Sequence, residues 1–441
     1  PVAWVLAGVG VGFAGIAWLT DNVFRWTMTG LDFNTLGLLV GRIFDLMNNW
    51  VLIALPMFIF MGLMLDKSGI AERMMHSMQK LFGNVKGGLA ITVTLIGIIL
   101  AASTGIIGAS VVLLGLMSLP IMLKQKYNKS LALGTIAASG CLGILIPPSI
   151  MLVIMGDQLS IPILDLFMGA VFPGLILGLL YIIYILIYCK IYPEKAPLSQ
   201  DHKEVTLKDV LIALIDVIPP AGLILLVLGS IFMGMATVTE ASAFGAMGSI
   251  VIAILYKHFS FDILKEVVIK TMNTAAYIFA IFVGATIFAL VLRECGGDEL
   301  IEAGLTGLGL GPYGLIIFVL AIVFLLGFFL DWIEITLIIL PLLSPVIATL
   351  DLQINGFGVV DYPNLTWFAM LVAVTLQTSF LTPPVGFALF YLKGVCPPEV
   401  TMIDIYRGVV PFIILQLIAL VLVFLFPELV TWLPSKVFKP L

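Results

Sequence analysis

Long apolar runs separated by short polar segments follow one another along the chain, which predicts a series of membrane-spanning helices. A bilayer core is crossed by about 20 apolar residues in a helix. Residues 35–47 form a shorter stretch that fits an interfacial helix or part of another span. The first run starts at Pro1, so we expect an upstream part of that span to be absent from this sequence. The predicted spans are residues 2–20, 49–66, 131–155, 164–190, 208–233, 239–256, 270–292, 365–392 and 408–427.

Two further apolar stretches are too long for a single span. Residues 87–123 contain no charged side chain, and at about 1.5 Å per residue one helix of this length would overshoot the bilayer. Residues 312–350 carry polar residues at their centre, among them Gly327, Asp331 and Glu334. Each stretch predicts two half-length helices that meet at a polar turn, a re-entrant hairpin. Such a turn is tolerated at membrane depth only where protein or a water-filled cavity surrounds it.

The charges beside the two predicted hairpins have opposite signs. Basic residues such as Lys86 and Lys124 flank the first, whereas acidic residues such as Glu302 and Asp351 flank the second. Because cytoplasmic loops carry the excess of lysine and arginine, the hairpins are expected to enter from opposite faces of the membrane.

A span interrupted by paired prolines follows each hairpin. The pairs are Pro147-Pro148 and Pro383-Pro384, and proline in a helix removes a backbone donor and clashes with the preceding turn. Both halves therefore run from a hairpin to a broken helix and then to an intact helix. Two such halves of opposite topology are typical of a secondary transporter whose site lies near the midplane, although one such pair alone would fit a kinked, packed helix.

Composition excludes most other classes of protein. Of the 441 residues, 61% are hydrophobic and 11% are charged, with a net charge of −5, whereas soluble domains carry about 25% charged residues. A soluble enzyme, a nucleic-acid binder and a disordered scaffold are thereby excluded. The four cysteines show no CxxC spacing, and no Walker, HExxH or GxSxG sequence is present, so we predict no catalytic residues, no cofactor and no ATP coupling.

The helix breaks offer the chemistry of a cation and anion site. Half-helix carboxyl ends and unwound carbonyls suit a hard cation such as sodium, and half-helix amino ends suit an anionic substrate. Each of the hydroxyls is equally compatible with ordinary helix packing. Those near the breaks and hairpin tips are Ser103, Thr104, Ser110, Ser139, Thr378, Ser379 and Thr382.

Three carboxylates need separate interpretations. Asp331 and Glu334 stand three residues apart and share one face of a helix, and ionisable groups inside a membrane segment usually mark function. Two roles remain open for this pair, which are cation coupling or ligand binding on one hand and a partner for a helix terminus on the other. Glu240 follows Thr237 with capping-box spacing, which favours a structural role at a helix start.

Several short motifs resemble one family. The chain is similar to the large membrane subunit of tripartite ATP-independent periplasmic (TRAP) transporters in Pro1-Val2-Ala3, Thr237 to Ala241, Ile146 to Ser149, and Leu381 to Gly386. The likeness covers nearly the whole chain in order. Val238 stands where the family usually has proline, and the second hairpin resembles the branch associated with 2-oxo acids and other monocarboxylates.

The resemblance implies a sodium-driven importer of small organic acids that works by an elevator movement. The fold class is then an all-α polytopic membrane protein with inverted repeats in a bacterial or archaeal inner membrane. Its implied partners are a small four-helix membrane subunit, separate or fused, and a periplasmic substrate-binding protein. The implied transport domain has two repeats, 87–156 (hairpin 87–123, broken helix 131–155) and 312–392 (hairpin 312–350, broken helix 365–392). The implied scaffold consists of helices and arms at 1–86 and 157–311 and a carboxyl-terminal helix at 393–441.

The same resemblance implies one sodium site per repeat, at the hairpin tip and the centre of the broken helix. The first repeat would contribute Ser103, Thr104, Gly105, Ser139 and Gly143. The second would contribute Gly327, Asp331, Thr378, Ser379 and Thr382. Candidates for substrate binding or coupling are Glu334, Ser110, Pro147, Pro148, Pro383 and Pro384.

Other functions remain open from the sequence. A stand-alone carboxylate symporter would transport without a binding protein, and a passive channel would also suit two opposed hairpins. A channel would conduct without saturation and would not concentrate its substrate. An intramembrane enzyme would need a nucleophile, metal triad or paired aspartate motif, and the sequence has none of these patterns.

Overall fold

The computed structural model describes residues 2–25, 33–104, 107–198 and 205–437, with the side chains of 33–36 and 101–104 left aside. All regular structure within these ranges is helical. The first helices are Val2–Leu19, Phe33–Met47, Ala54–Lys67, Ile70–Leu81, Gly88–Thr104, Ile107–Lys124, Lys129–Cys141, Ile150–Leu159 and Ile163–Ile191. The remaining helices are Leu207–Phe232, Val238–Leu255, Phe261–Glu294, Gly297–Gly307, Pro312–Leu326, Trp332–Glu334, Leu340–Thr349, Pro363–Leu381, Phe387–Val395, Met402–Leu425 and Glu428–Val437. Shorter π and 3-10 segments are Thr20–Phe24, Trp50–Ile53, Leu142–Ile144, Pro193–Lys195 and Ile335–Ile339.

Ten helices in the described part of the chain are long and apolar enough to cross a membrane. The chain is therefore a multi-pass, all-helical membrane protein, as the apolar pattern predicts. The stretch near residues 35–47 forms the helix Phe33–Met47.

Both predicted hairpins are present as helix pairs. Hairpin 1 consists of Gly88–Thr104 and Ile107–Lys124, and residues 105–106 at its tip lie outside the described ranges. Hairpin 2 consists of Pro312–Leu326 and residues 332–349, whose central turns are a π-helix. The second helix of each pair has 18 residues, about half of the predicted stretch that contains it, and is long and apolar enough to cross a membrane. No charged residue interrupts Ile107 to Leu123 or Ile335 to Thr349, and each helix continues for its full length.

Both predicted helix breaks are also present. Broken helix 1 consists of Lys129–Cys141 and Ile150–Leu159, and broken helix 2 consists of Pro363–Leu381 and Phe387–Val395. The proline pairs lie in the gaps, and the peptide bond within each pair is cis. The first segments have no polar face, and residues 131–141 and 365–381 are all buried. A helix that is apolar all round belongs in the interior.

The two repeats exchange partners at their centre. The first segment of each broken helix packs against the hairpin of its own repeat, whereas the second segment packs against the hairpin of the other repeat. Gly115 in hairpin 1 shows the closeness of this exchange, because a Cβ added there would lie 2.9 Å from the Val395 side chain in broken helix 2. The inverted repeats therefore form one interlocked body.

Two long helices join this body. Ile163–Ile191 packs against broken helix 2, and Met402–Leu425 packs against broken helix 1. Trp367 in broken helix 2 also donates from its indole nitrogen to the Val423 carbonyl at 2.8 Å. A second group of helices, which pack mainly against one another, consists of Val2–Leu19, Ala54–Lys67, Leu207–Phe232, Val238–Leu255 and Phe261–Glu294.

Candidate functional site

Hairpin 2 meets broken helix 2 at a glycine–serine contact. A Cβ added to Gly327 would lie 2.4 Å from Ser379 Oγ, so only glycine fits without a shift. Ser379 Oγ donates to the Phe324 carbonyl at 2.9 Å. That carbonyl is in the last turn of Pro312–Leu326, where main-chain oxygens lack helical partners and carry partial negative charge. Hydroxyl and carbonyl oxygens thus come together beside the turn of hairpin 2.

The break in broken helix 2 is tied by local hydrogen bonds. Thr378 Oγ1 donates to the Val374 carbonyl at 2.8 Å, and Thr382 Oγ1 donates to the Thr378 carbonyl at 2.6 Å. The Gly386 amide donates a hydrogen bond to the Thr382 carbonyl at 3.1 Å, across the proline pair. These bonds hold the end of one half-helix next to the start of the other, while both hydroxyl oxygens still have lone pairs for a ligand.

Repeat 1 has a different arrangement. Ser139 Oγ donates to Thr94 Oγ1 at 3.3 Å, and a Cβ added to Gly97 would lie 2.7 Å from Ser139 Cβ. Gly97 precedes the end of Gly88–Thr104 by about 10 Å of helix, so Ser139 lies beside the middle of that helix and not beside the hairpin tip. Gly143 occupies the position four residues before Pro147 that Ser379 occupies before Pro383, and it supplies only backbone.

The tip of hairpin 1 is described in part. Ser103 and Thr104 end the helix Gly88–Thr104, their side chains lie outside the description, and Gly105 lies outside the described residues. Ser110 is buried on the second helix of the hairpin. Pro147 and Pro148 form the break that precedes Ser149, whose hydroxyl donates to the Ile144 carbonyl at 2.6 Å.

Asp331 and Glu334 form a capping box at the start of the second helix of hairpin 2. Asp331 Oδ1 accepts from the Trp332 amide at 2.8 Å, and Glu334 Oε2 accepts from the Asp331 amide at 3.4 Å. Glu334 is buried and its Oε1 also accepts from the Ala3 amide at 3.3 Å. Of the two roles left open by the sequence, this geometry matches a partner for helix termini.

Glu240 forms a similar cap at an exposed helix start. Its Oε2 accepts from the Thr237 amide at 2.8 Å, and its own amide donates to Thr237 Oγ1 at 3.2 Å. The bonds satisfy amides that would otherwise lack partners.

The sequence reasoning missed two further residues, one at a contact between the repeats and one buried in broken helix 2. Tyr391 contacts hairpin 1, because a Cβ added to Gly108 would lie 3.0 Å from its ring. Gln377 is fully buried, and neither polar atom of its amide has a hydrogen-bond partner among the described residues. An amide in the middle of a mostly apolar helix was a signal present in the sequence, since such groups normally have partners when they are buried.

Hydroxyl and carbonyl oxygens predominate at the breaks, and the carboxylates of Asp331 and Glu334 cap the helix that follows the turn of hairpin 2. Within the described ranges, no three histidine, cysteine or acidic side chains are placed to share a metal ion. Neutral carbonyl and hydroxyl oxygens suit a hard cation of low charge. The half-helices that begin at Ile150 and Phe387 present amide donors toward the breaks.

Inverted repeats, each with a hairpin and a broken helix around a central region, are the architecture of secondary transporters. Residues 1–429 match the family described as "Tripartite ATP-independent periplasmic transporter, DctM component". The chain belongs to this family and is the large permease component of a tripartite importer that works with a binding protein.

The relatives agree with this assignment. The chain is 27% identical over 397 residues to the C4-dicarboxylate TRAP transporter large permease protein DctM of Pseudomonas aeruginosa, covering 89% of this chain and 88% of the relative. It is 27% identical over 435 residues to the sialic acid TRAP transporter large permease protein SiaM of Vibrio cholerae, covering 98% and 96%. The crystal structure of the Alcanivorax borkumensis YdaH transporter shares the fold, with a TM-score of 0.59, 15% identity, and coverage of 88% and 87%.

Proposed function

We propose that this permease imports a small organic acid by sodium symport and that its transport domain moves as an elevator. A periplasmic binding protein delivers the acid, and a small four-helix membrane subunit completes the fixed part. The observation that carries the proposal is the contact of Gly327 with Ser379, which brings hydroxyl and helix-end carbonyl oxygens together where two half-helices meet.

The second-repeat sodium site is the better supported of the two. Its ligands in this proposal are main-chain oxygens beside Gly327 and in the break, together with the hydroxyls of Thr378, Ser379 and Thr382. Asp331 acts there as a helix cap.

The first-repeat site rests on symmetry. Ser103, Thr104, Gly105 and Gly143 remain its proposed ligands, through their backbone oxygens and the two hydroxyls. Ser139 is left out of this site, because it lies beside Gly97 and Thr94 in the middle of the hairpin helix.

The moving body consists of both hairpins, both broken helices and two helices that pack on them. Ile163–Ile191 and Met402–Leu425 contact the broken helices, so we place them in the transport domain, although the family resemblance alone suggested the scaffold. A Cβ added to Gly134 in broken helix 1 would lie 2.0 Å from the Gly408 carbonyl. Backbones this close favour movement as one unit.

Anionic substrates fit the paired half-helices. The amino ends at Ser149–Ile150 and Gly386–Phe387 offer backbone donors and a positive dipole end. The two large permease relatives named above are, by their names, transporters of C4-dicarboxylate and of sialic acid, both of them organic acids. The resemblance of hairpin 2 favours a monocarboxylate for this chain.

Sodium binding can be tested without the substrate. A ligand that binds only the folded state raises the unfolding temperature in proportion to the logarithm of its concentration once its Kd is exceeded. We expect the unfolding temperature of the purified protein to rise with sodium and to remain unchanged with equal potassium. Ser379→Ala should weaken the apparent sodium affinity about tenfold, since one ligand oxygen is lost. An identical response to sodium and potassium would contradict the proposed site.

A further inference from the structure

A cleft with two arginines in its lining lies apart from the glycine–serine site. It has a volume of about 150 Å³, and Arg42, Gln158, Phe282, Leu290, Arg293 and Leu337 line it. Arg42 comes from the helix Phe33–Met47, Arg293 from the end of Phe261–Glu294, Gln158 from broken helix 1 and Leu337 from hairpin 2. The cleft therefore lies between the proposed scaffold and the proposed moving body.

The described ion pairs around this cleft involve only one of its two arginines. Arg293 Nε pairs with Asp298 Oδ2 at 2.8 Å, which leaves other guanidinium donors available. Arg42 has no ion-pair partner among the residues that the structure describes. The amide nitrogen of Gln158 donates to Asp157 at 2.9 Å, and Asp157 also accepts from the Asn49 amide at 2.5 Å. The formal charges of Arg42, Arg293, Asp298 and Asp157 sum to zero. Because Asp157 already accepts from Asn49 and Gln158, Arg42 is the lining guanidinium that the described ion pairs leave without a counter-charge.

The apolar wall and the volume of the cleft indicate that its ligand also has an apolar part. Phe282, Leu290 and Leu337 give one side an apolar surface, whereas the guanidinium groups give planar donors that match an acid group. The volume exceeds by about tenfold the space that one ordered water needs. An ion such as chloride would leave the apolar wall uncovered.

We infer that this cleft binds a singly charged organic anion, with its acid group at Arg42 and Arg293 and its apolar part against Phe282 and Leu290. The anion is either a free carboxylate on its way to the central site or the acidic headgroup of a lipid. Assignment to the transported acid rests on the proposed function, whereas the anion site itself rests only on the cleft.

A cysteine in the cleft wall tests the charge directly. Ala289→Cys places a thiol on the lining, in a background where the accessible Cys295 and Cys396 are serine. The rates of modification by anionic methanethiosulfonate ethylsulfonate and by its cationic trimethylammonium analogue are compared in nanodiscs of neutral phosphatidylcholine. We expect the anionic-to-cationic rate ratio to fall about tenfold in Arg42→Gln and in Arg293→Gln, because each removes a nearby charge.

Matched variants and added anions complete the test. Arg42→Lys keeps the charge and should keep most of the ratio, and Arg407→Gln, outside the lining, should leave it unchanged. Sodium butyrate should slow the anionic reaction more than sodium succinate, and slowing by phosphatidylglycerol alone would assign the site to a lipid headgroup. An anionic-to-cationic rate ratio that stays the same in both arginine variants would overturn the inference, and so would protection by none of these anions. Equal protection by succinate and butyrate would contradict a ligand with a single charge. No transport is measured, so a failure of sodium coupling would leave these results intact.

Discussion

Gly327 and Ser379 lie so close together that Gly327 has no room for a side chain beside the Ser379 hydroxyl. A Cβ on Gly327 would lie 2.4 Å from Ser379 Oγ and 2.9 Å from its Cβ. The contact joins the end of the first helix of hairpin 2 to the last turn before the break in broken helix 2. It fixes the carbonyl and hydroxyl oxygens of the proposed sodium site relative to one another.

Gly327→Ala should disturb this contact. We expect a loss of about 1–3 kcal/mol in unfolding free energy from overpacking, together with a weaker sodium dependence of the unfolding temperature. Ser379→Gly in the same chain removes both clashing atoms and should restore the stability but not the sodium affinity.

Gly311→Ala is the matched control for this substitution. It precedes the same helix and has no neighbour within 4 Å of the added Cβ, so its stability should stay near that of the wild type. Equal unfolding temperatures for Gly327→Ala and Gly311→Ala would show that the glycine–serine contact is looser than described.

Two substitutions of Glu334 distinguish a capping role from a role in sodium coupling. Glu334→Gln keeps an acceptor oxygen for the Asp331 amide, gives up the one that accepts from the Ala3 amide, and removes the charge. Stability should fall slightly, but sodium-driven uptake should persist. Glu334→Ala removes the acceptor and should lower the unfolding free energy by about 0.5–2 kcal/mol, the usual cost of a lost cap. Loss of uptake in a stably folded Glu334→Gln protein would instead assign the carboxylate to coupling.

Gly134 and Gly408 allow two helices of the moving body to touch along their backbones. A Cβ on Gly134 would lie 2.0 Å from the Gly408 carbonyl, and a backbone atom cannot rotate away. Gly134→Ala should therefore cost about 3 kcal/mol or reduce the yield of folded protein. Gly222→Ala, with no neighbour within 4 Å, should stabilise its helix slightly, as thermal unfolding of the two variants in detergent would show.

Crosslinks can locate the boundary of the moving body. Gly174 lies on Ile163–Ile191, and its added Cβ would be 3.8 Å from Ile146 Cβ, which suits a disulfide. Gly174→Cys with Ile146→Cys should form a disulfide and leave transport intact, because both residues move together in the proposed division.

A crosslink across the boundary should have the opposite effect. The side chains of Asn49 and Asp157 are hydrogen-bonded at 2.5 Å, between the proposed scaffold and broken helix 1. Asn49→Cys with Asp157→Cys, joined by a short bifunctional thiol reagent, should stop transport, and a reductant should restore it. If the Gly174–Ile146 disulfide stops transport instead, then Ile163–Ile191 belongs to the scaffold.

The sequence predicted the helix pairs and breaks because their causes are local. Pro147-Pro148 and Pro383-Pro384 interrupt a helix wherever it packs, and an apolar run of 37 residues from Gly87 to Leu123 must fold back. The exchange of partners between repeats has no local cause. Tyr391 belongs to one repeat and contacts Gly108 of the other, so no spacing in either segment reveals their proximity.

The candidate site was predictable in the same limited sense. Ser379 and Gly327 were both marked by their positions near a break and a turn, and they meet. Ser139 looked equivalent because it also precedes a proline pair, yet it is eight residues away where Ser379 is four. Two helical turns in place of one move its hydroxyl to the middle of Gly88–Thr104, beside Thr94.

The central claim is that the permease couples organic-acid import to sodium through the two broken helices. Its most direct test is the uptake of a labelled 2-oxo monocarboxylate by liposomes that contain the permease and its small membrane subunit. Uptake is measured under an inward sodium gradient, with and without the binding protein. The account predicts concentrative uptake that requires both sodium and the binding protein and that is weakened in Ser379→Ala. Uptake driven by sodium without the binding protein would indicate a stand-alone symporter, and flux that follows the acid gradient alone, indifferent to sodium, would contradict the account.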